Sequence, residues 1–528
     1  MPRVRNVNTT DLKAALELGA RCMSGLFNAD DPEGVPFFSS SLRPEARLSF
    51  SGAHSESHVP GRHLNALLEA EDAAGIEVDE EVVRRHRHAA LLSYSGAAPL
   101  ALNRKEIGGP LVSFCPHNLR EGFHALYALA AFRGDGEAAE IAERSVRCIF
   151  DLWSPDEGWD RARLESLGLE YMACQGFVHG EARMLGPLVK IHRAIGSAAA
   201  LELALVLRDK LLAETFPEDG SWDPERVGTS HVHSITCCLS SLAQLAAHLG
   251  DAVLMQRVRA FYDGGLWQLR DEIGWTPEST TQTDSDHGEA NNTGDILETA
   301  LILGRHGCAA AYADAERILR CHLLPSQLRD ASFIEEPPNP EGLDGLRDPA
   351  GRHLGAFGFP APYGHESAGQ GRAILSFNMD IVGGACASIA AACREVVRAD
   401  GTGVHVDLWF DWESEAASVA SPYTQDGRLT VRVRQPGPLW LRLPPWLEGG
   451  LVVAGDAPEP RRAADHLFWR DLPAGTAVEA RVEYPEREIV LSPRLHRRPI
   501  RARLRGDAVA AMEDFGADLA WFDPLGRG

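Results

Sequence analysis

Between residues 284 and 295 the chain reads DSDHGEANNTGD, placing Asp284, Asp286, His287, Glu289 and Asp295 within twelve residues. Hydrolysis of a glycosidic bond needs one carboxylic acid to protonate the leaving oxygen and a second carboxylate as base or nucleophile. Glu289 is the first choice for the acid, and Asp295 for the base or for an orienting group. The same residues also read as a capping cluster satisfying free N–H groups at a helix start. A second motif, HVHSITCC, holds His231 and His233 ahead of Cys237 and Cys238. His233 and Cys237 share a helix face, which supplies only two ligands where a zinc site takes about four. The cysteine pair reads as core packing, and no metal is expected.

Five glycines punctuate Ala/Leu-rich helical segments: Gly75, Gly134, Gly196, Gly250 and Gly307, separated by 59, 62, 54 and 57 residues. Each interval fits two helices and their loops, a helical hairpin. Seventeen residues before the first four glycines stand His58, His117, His179 and His233; before the fifth stands Ala290, beside Glu289. At ~1.5 Å per residue that distance is a helix of about 25 Å, so these side chains fall at one common end. Helices returning every ~55–60 residues close into a ring of inner and outer helices, an (α/α)6 barrel. Unpaired N–H groups at the inner helix starts then line one mouth, the kind of concave polar site a small molecule needs.

Near residue 400 the pattern changes to alternation with period two, in GVHVDLWF, RLTVRVRQ, LWLRLPPW and AVEARVEY. Turn residues separate these stretches, and an antiparallel β-sandwich is expected. The expected domains are a helical barrel over 1–398, carrying a long Pro/Gly loop at 334–371, and a sandwich over 399–528. DDPEGVPFF near residue 30 is expected to run extended and touch the sandwich. His365 and Glu366 in the long loop are candidates to reach the mouth from above.

Three longer stretches carry a family resemblance. NTGDILETALILGRHGCAAAYADAERILRCHLLPSQL, FNMDIVGGACASIAAACREVVRADGTGVHVDLWFD and SPYTQDGRLTVRVRQPGPLWLRLPPWL resemble segments of the β-L-arabinofuranosidase-like glycoside hydrolases, in the six-hairpin glycosidase superfamily. The resemblance implies a helical barrel followed by a β-sandwich, and hydrolysis at the end of a small glycoside or oligosaccharide. Gly288-Glu289-Ala290 resembles that family's acid/base element. The resemblance also implies histidines at inner helix starts holding the sugar, with His58, Arg62, His63, His117, His179, His231, His233 and His287 as substrate-binding candidates here. In that family three cysteines and a glutamate hold zinc. Here the expected Cys-Cys pair falls at Gly383-Gly384 and the Glu-x-Cys element near Asp295-Ile296-Leu297, so the zinc site is missing and metal-independent carboxylate chemistry is expected.

Two other functions stay open: a lyase acting beside a uronate carboxylate, which Arg62 or Arg183 would bind, and a sugar-binding relative without activity. A net charge of −23 argues against nucleic-acid and anionic-membrane partners. No cofactor is expected, a homo-oligomer is left open, and ten scattered cysteines with no signal-like N-terminus point to the cytoplasm.

Overall fold

The computed structural model describes residues 3–282, 285–369, 375–447, 451–454 and 457–526. Among them, up to Val396, twelve helices reach ten residues or more. They are α1 Leu12–Ser24, α2 Val59–Ala74, α3 Glu80–Ser93, α4 Leu119–Arg133, α5 Gly136–Leu152 and α6 Leu185–Ile195, then α7 Ala198–Glu214, α8 Val232–Leu249, α9 Ala252–Asp263, α10 Ala290–Arg305, α11 Ala309–Ile318 and α12 Ile381–Val396. The even-numbered helices pack in cyclic order, α2 on α4, α4 on α6, α6 on α8, α8 on α10, α10 on α12, and α12 back on α2. Each odd-numbered helix lies outside one of them, with α1 against α12.

The turn glycines act as helix stops. Gly75, Gly134, Gly196 and Gly250 follow α2, α4, α6 and α8 with φ between 62° and 73°, a left-handed conformation that costs glycine least. The outer helix then starts on a capping side chain. Asp79, Asp135, Ser197 and Asp251 accept from backbone N–H groups at the heads of α3, α5, α7 and α9. The six inner helices are different. Their N-cap residues, His58, Asn118, Met184, His231, Glu289 and Asp380, make no side-chain cap. Several of these side chains turn to one another across the helix starts instead: Asn118 Oδ1 lies 3.0 Å from His54 Nδ1 and from His58 Nδ1, and Asp380 lies 3.1 Å from His58 Nε2.

Beyond α12 the chain is β-rich. One five-stranded sheet orders Arg461–Ala463, His466–Leu472, Gly437–Arg442, Gly403–Val406 and Val397–Asp400; a second orders Trp412–Glu413, Ala417–Ala420, Arg428–Val433, Ala477–Arg481 and Val452–Ala454. Their apolar faces share a core containing Val406, Trp409, Val431, Leu439, Leu441 and Trp469. The first sheet is not wholly antiparallel: Val404 to Val406 pair in parallel with Leu439 to Leu441. The last four strands, between Glu486 and Pro524, form a separate sheet. It packs with Ile273, Trp275, Cys321 and Tyr363 in a third core, which ties the chain's end to the helical part. The stretch near residue 30 curls instead of joining the two sheets, Phe27 bridging Pro36. The neighbouring strand Ser39–Arg43 pairs with Leu375–Asn378. No described helix is long and apolar enough to cross a membrane.

Candidate active site at the inner helix starts

The predicted histidines converge. His117 lies 5.5 Å from His58 in a stacked arrangement, 4.6 Å from His179 and 5.7 Å from His231, ring centre to ring centre. His231 lies 5.1 Å from His179 and 5.7 Å from His233, and His54 joins them 5.4 Å from His58. His54, His117, His179 and His231 are partly exposed at the mouth, whereas His58 and His233 are buried below it. Burial holds His54 down to about 4 and His179 to about 3. Burial, and then Arg183 for His117 and Arg62 for His233, hold those two well below the usual imidazole value. His54, His117 and His179 are therefore held as neutral imidazoles at the mouth, each able to donate or accept toward a hydroxyl.

Glu289 stands among them. It is 6% exposed; one oxygen lies 3.7 Å from His231 Nε2 and the other 3.6 Å from His233 Nδ1, and Asn291 donates to it at 2.8 Å. The long loop fixes this position: the N–H groups of Gly288 and Ala290 donate to Pro360 O and Gly358 O at 3.0 and 3.1 Å. Phe359 from the same loop stacks on His287 at 4.9 Å. The loop thus forms a wall of the site, although not through the residues expected. His365 is buried against Trp521, and Glu366 pairs with Arg43; neither is placed among the mouth histidines. His63 is also buried, bonded to Met379 O at 2.8 Å and packed on His86, a core histidine.

Asp295 lies deeper. It meets Arg120 at 3.3 Å and His233 Nε2 at 3.3 Å, and accepts from Thr236 at 3.1 Å; burial pushes it up against the pull of Arg120. It is thus enclosed among Arg120, Thr236 and His233 below the mouth. Asp286 is likewise occupied, by Tyr363 and His496, and Asp284 lies outside the described residues.

Under the histidines is a charge cluster that the sequence did not announce. Glu121 accepts from Arg120 and Arg183 at 3.2 and 3.0 Å and forms an ion pair with Arg62 at 3.1 Å. Burial alone would raise this carboxyl, but Arg183, His58, Arg62 and Arg120 outweigh it and hold it well below the usual range. Asp380 pairs with His58 at 3.1 Å. Arg62 and Arg183 are thus spent on buried carboxylates and do not line the opening. Glu278 is the second residue missed. Its carboxylate stands at the rim 3.2 Å from His287, whose hydrogen bond holds it below the ordinary value. Its sequence signal was faint, a single acid in WTPEST ahead of the acidic run.

The zinc site of the resembled family does not fit these residues. Gly384 lies where a Cβ would collide with Asn291 Oδ1 and stand 2.8 Å from Arg62 Nη1, so a guanidinium fills the space a thiolate would need. Two described groups, His231/His233/Glu289 and His233/Cys237/Asp295, do bring ligand-type atoms together. Both depend on His233, whose ring lies 3.1 Å from Arg62 and 3.4 Å from Arg183, a field that repels a dication.

No family model matches the chain, and no curated protein matches it. Among solved structures it is similar to a GH127 β-L-arabinofuranosidase from Geobacillus stearothermophilus T6, with 15% identity, 94% of this chain and 80% of that one covered, and a TM-score of 0.56. A second GH127 β-arabinofuranosidase gives 14% identity, coverage of 94% and 79%, and a TM-score of 0.56. A sugar epimerase from a ruminal bacterium gives 11% identity, coverage of 72% and 99%, and a TM-score of 0.51. At these identities the likeness is one of fold.

Proposed function

We propose that the chain is an (α/α)6 barrel with a β-sandwich, and a glycoside hydrolase acting without a metal on the end of a neutral glycoside or small oligosaccharide. The observation that carries this reading is Glu289, held between His231 and His233 at the floor of a mouth ringed by imidazoles. Glu289 protonates the leaving glycosidic oxygen. Glu278, ionised at the rim, serves as base or nucleophile. His54, His117, His179 and His231 hold the sugar hydroxyls, while Arg62, 3.1 Å from the far nitrogen of His233, and Asp295, 3.3 Å from it, set the orientation of that ring. The fold alone does not choose the chemistry, since hydrolases and an epimerase share it.

The pairing of Arg62 and Arg183 with Glu121 weighs against a uronate substrate, because neither guanidinium is left for a second carboxylate. A panel of neutral and uronate glycosides tests the proposal. The expected result is a free monosaccharide from neutral members; an unsaturated product absorbing in the ultraviolet, or turnover confined to uronates, would overturn it.

A further inference from the structure

Two thiols lie at the edge of the histidine mouth, outside the chemistry above. Cys115 follows the strand Leu111–Phe114 and precedes the turn that carries His117. Cys174 lies in the loop before His179. Their Sγ atoms are 3.8 Å apart. The backbone already fastens these segments: Phe114 pairs in parallel with Tyr171, and Met172 N donates to Phe114 O at 2.8 Å. Gly180 closes the arrangement, since a Cβ there would stand 3.3 Å from both Cys174 Cβ and Pro116 Cβ.

We infer that Cys115 and Cys174 form a peroxide-reactive dithiol, whose oxidation to a disulfide pins the two segments that carry His117 and His179. The accessibility is graded in the way such a pair needs. Cys115 is 8% exposed, enough for a molecule as small as hydrogen peroxide, and Cys174 is more open. By contrast Cys22, Cys237, Cys238, Cys321, Cys386 and Cys393 are enclosed in the core. Cys115 stands at the head of the turn Pro116–Asn118, and the hydrogen bond from Cys174 pulls its thiol down against burial, helped by the His117 backbone N–H and by Arg183; from that position Cys115 is assigned as the attacking thiol.

The Cys115 thiolate attacks one peroxide oxygen, the O–O bond breaks, and hydroxide leaves, giving a sulfenic acid on Cys115. The Cys174 sulfur then attacks the Cys115 sulfur, the S–O bond breaks, and the hydroxyl leaves as water. The two cysteines give up two electrons and two protons, and the peroxide is reduced to two waters. The sulfurs close from 3.8 Å to a bond of about 2.05 Å. Because His117 Nδ1 is 3.0 Å from the His179 carbonyl and their rings touch, the new bond stiffens the side of the mouth that both histidines form.

The test treats the full-length protein with a small excess of hydrogen peroxide, alkylates the remaining thiols, and maps the digest by mass spectrometry. The expected result is one peptide pair joined through Cys115 and Cys174, released by dithiothreitol, with Cys115 lost at least ~10-fold faster than the enclosed Cys386. In C174S the same treatment should leave a sulfenic acid on Cys115 that dimedone labels. Separately alkylated Cys115 and Cys174 in the wild type, or loss of Cys115 no faster than of Cys386, would overturn the assignment. Neither readout depends on any glycosidase activity.

Discussion

Replacing His496 should remove a pH dependence that the wild-type protein displays. The imidazole lies between two buried carboxylates, with Nε2 3.2 Å from Asp271 and Nδ1 3.3 Å from Asp286. Burial alone would lower its pKa, but the hydrogen bonds to Asp271 and Asp286 raise it to about 9 from the ordinary 6.5. A group raised in the folded state stabilises fully below the unfolded value. That contribution is lost as pH climbs from 6.5 through 9. At about 1.4 kcal/mol per pH unit, the window holds up to about 3 kcal/mol. Urea unfolding of wild type and H496Q at pH 6, 7.5 and 9.5 reads this directly. The wild type should lose most of that difference between pH 6 and 9.5, whereas H496Q should start less stable and lack the loss. Parallel pH profiles for the two proteins would refute the reasoning. Asp286 lies three residues before Glu289, so the same titration should loosen the segment that presents the acid.

Further outcomes follow from the buried cluster and from the packing around Gly384. Glu121→Gln leaves three guanidiniums short of their shared acceptor and should cost about 3–5 kcal/mol in urea unfolding; a loss under about 1 kcal/mol would show the arginines to be satisfied elsewhere. Gly384→Ala forces a methyl onto Asn291 and Arg62 and should cost about 1–3 kcal/mol, read as a lower Tm; an unchanged Tm would contradict that packing. Metal analysis of the purified protein should find no stoichiometric zinc, and one tightly held ion per chain would contradict the fit described for Gly384 and Arg62.

The parts of this molecule that were legible in its sequence are those fixed by local rules. A left-handed C-cap nearly demands glycine, so the hairpin turns and the histidines seventeen residues upstream declared themselves from spacing. Alternation with period two likewise located Gly403–Val406, Arg428–Val433, Gly437–Arg442 and Ala477–Arg481. The misplaced residues were settled by distant partners. His63 looks like His58 in sequence, yet it turns to Met379, 316 residues away. Arg62 and Arg183 looked available for substrate because Glu121, on a third helix, has no local signature. Asp286 sits in the acidic run, but a histidine 210 residues later claims it. Helix starts can be read locally, whereas the direction in which each buried charge turns depends on which helices become neighbours.

The acid role of Glu289 is tested most directly by comparing monosaccharide release by wild type and E289Q on whichever neutral glycoside the wild type cleaves. Loss of a positioned general acid predicts a fall of at least ~10²-fold with sugar binding retained. Near-normal release by E289Q would contradict the account, whatever the sugar.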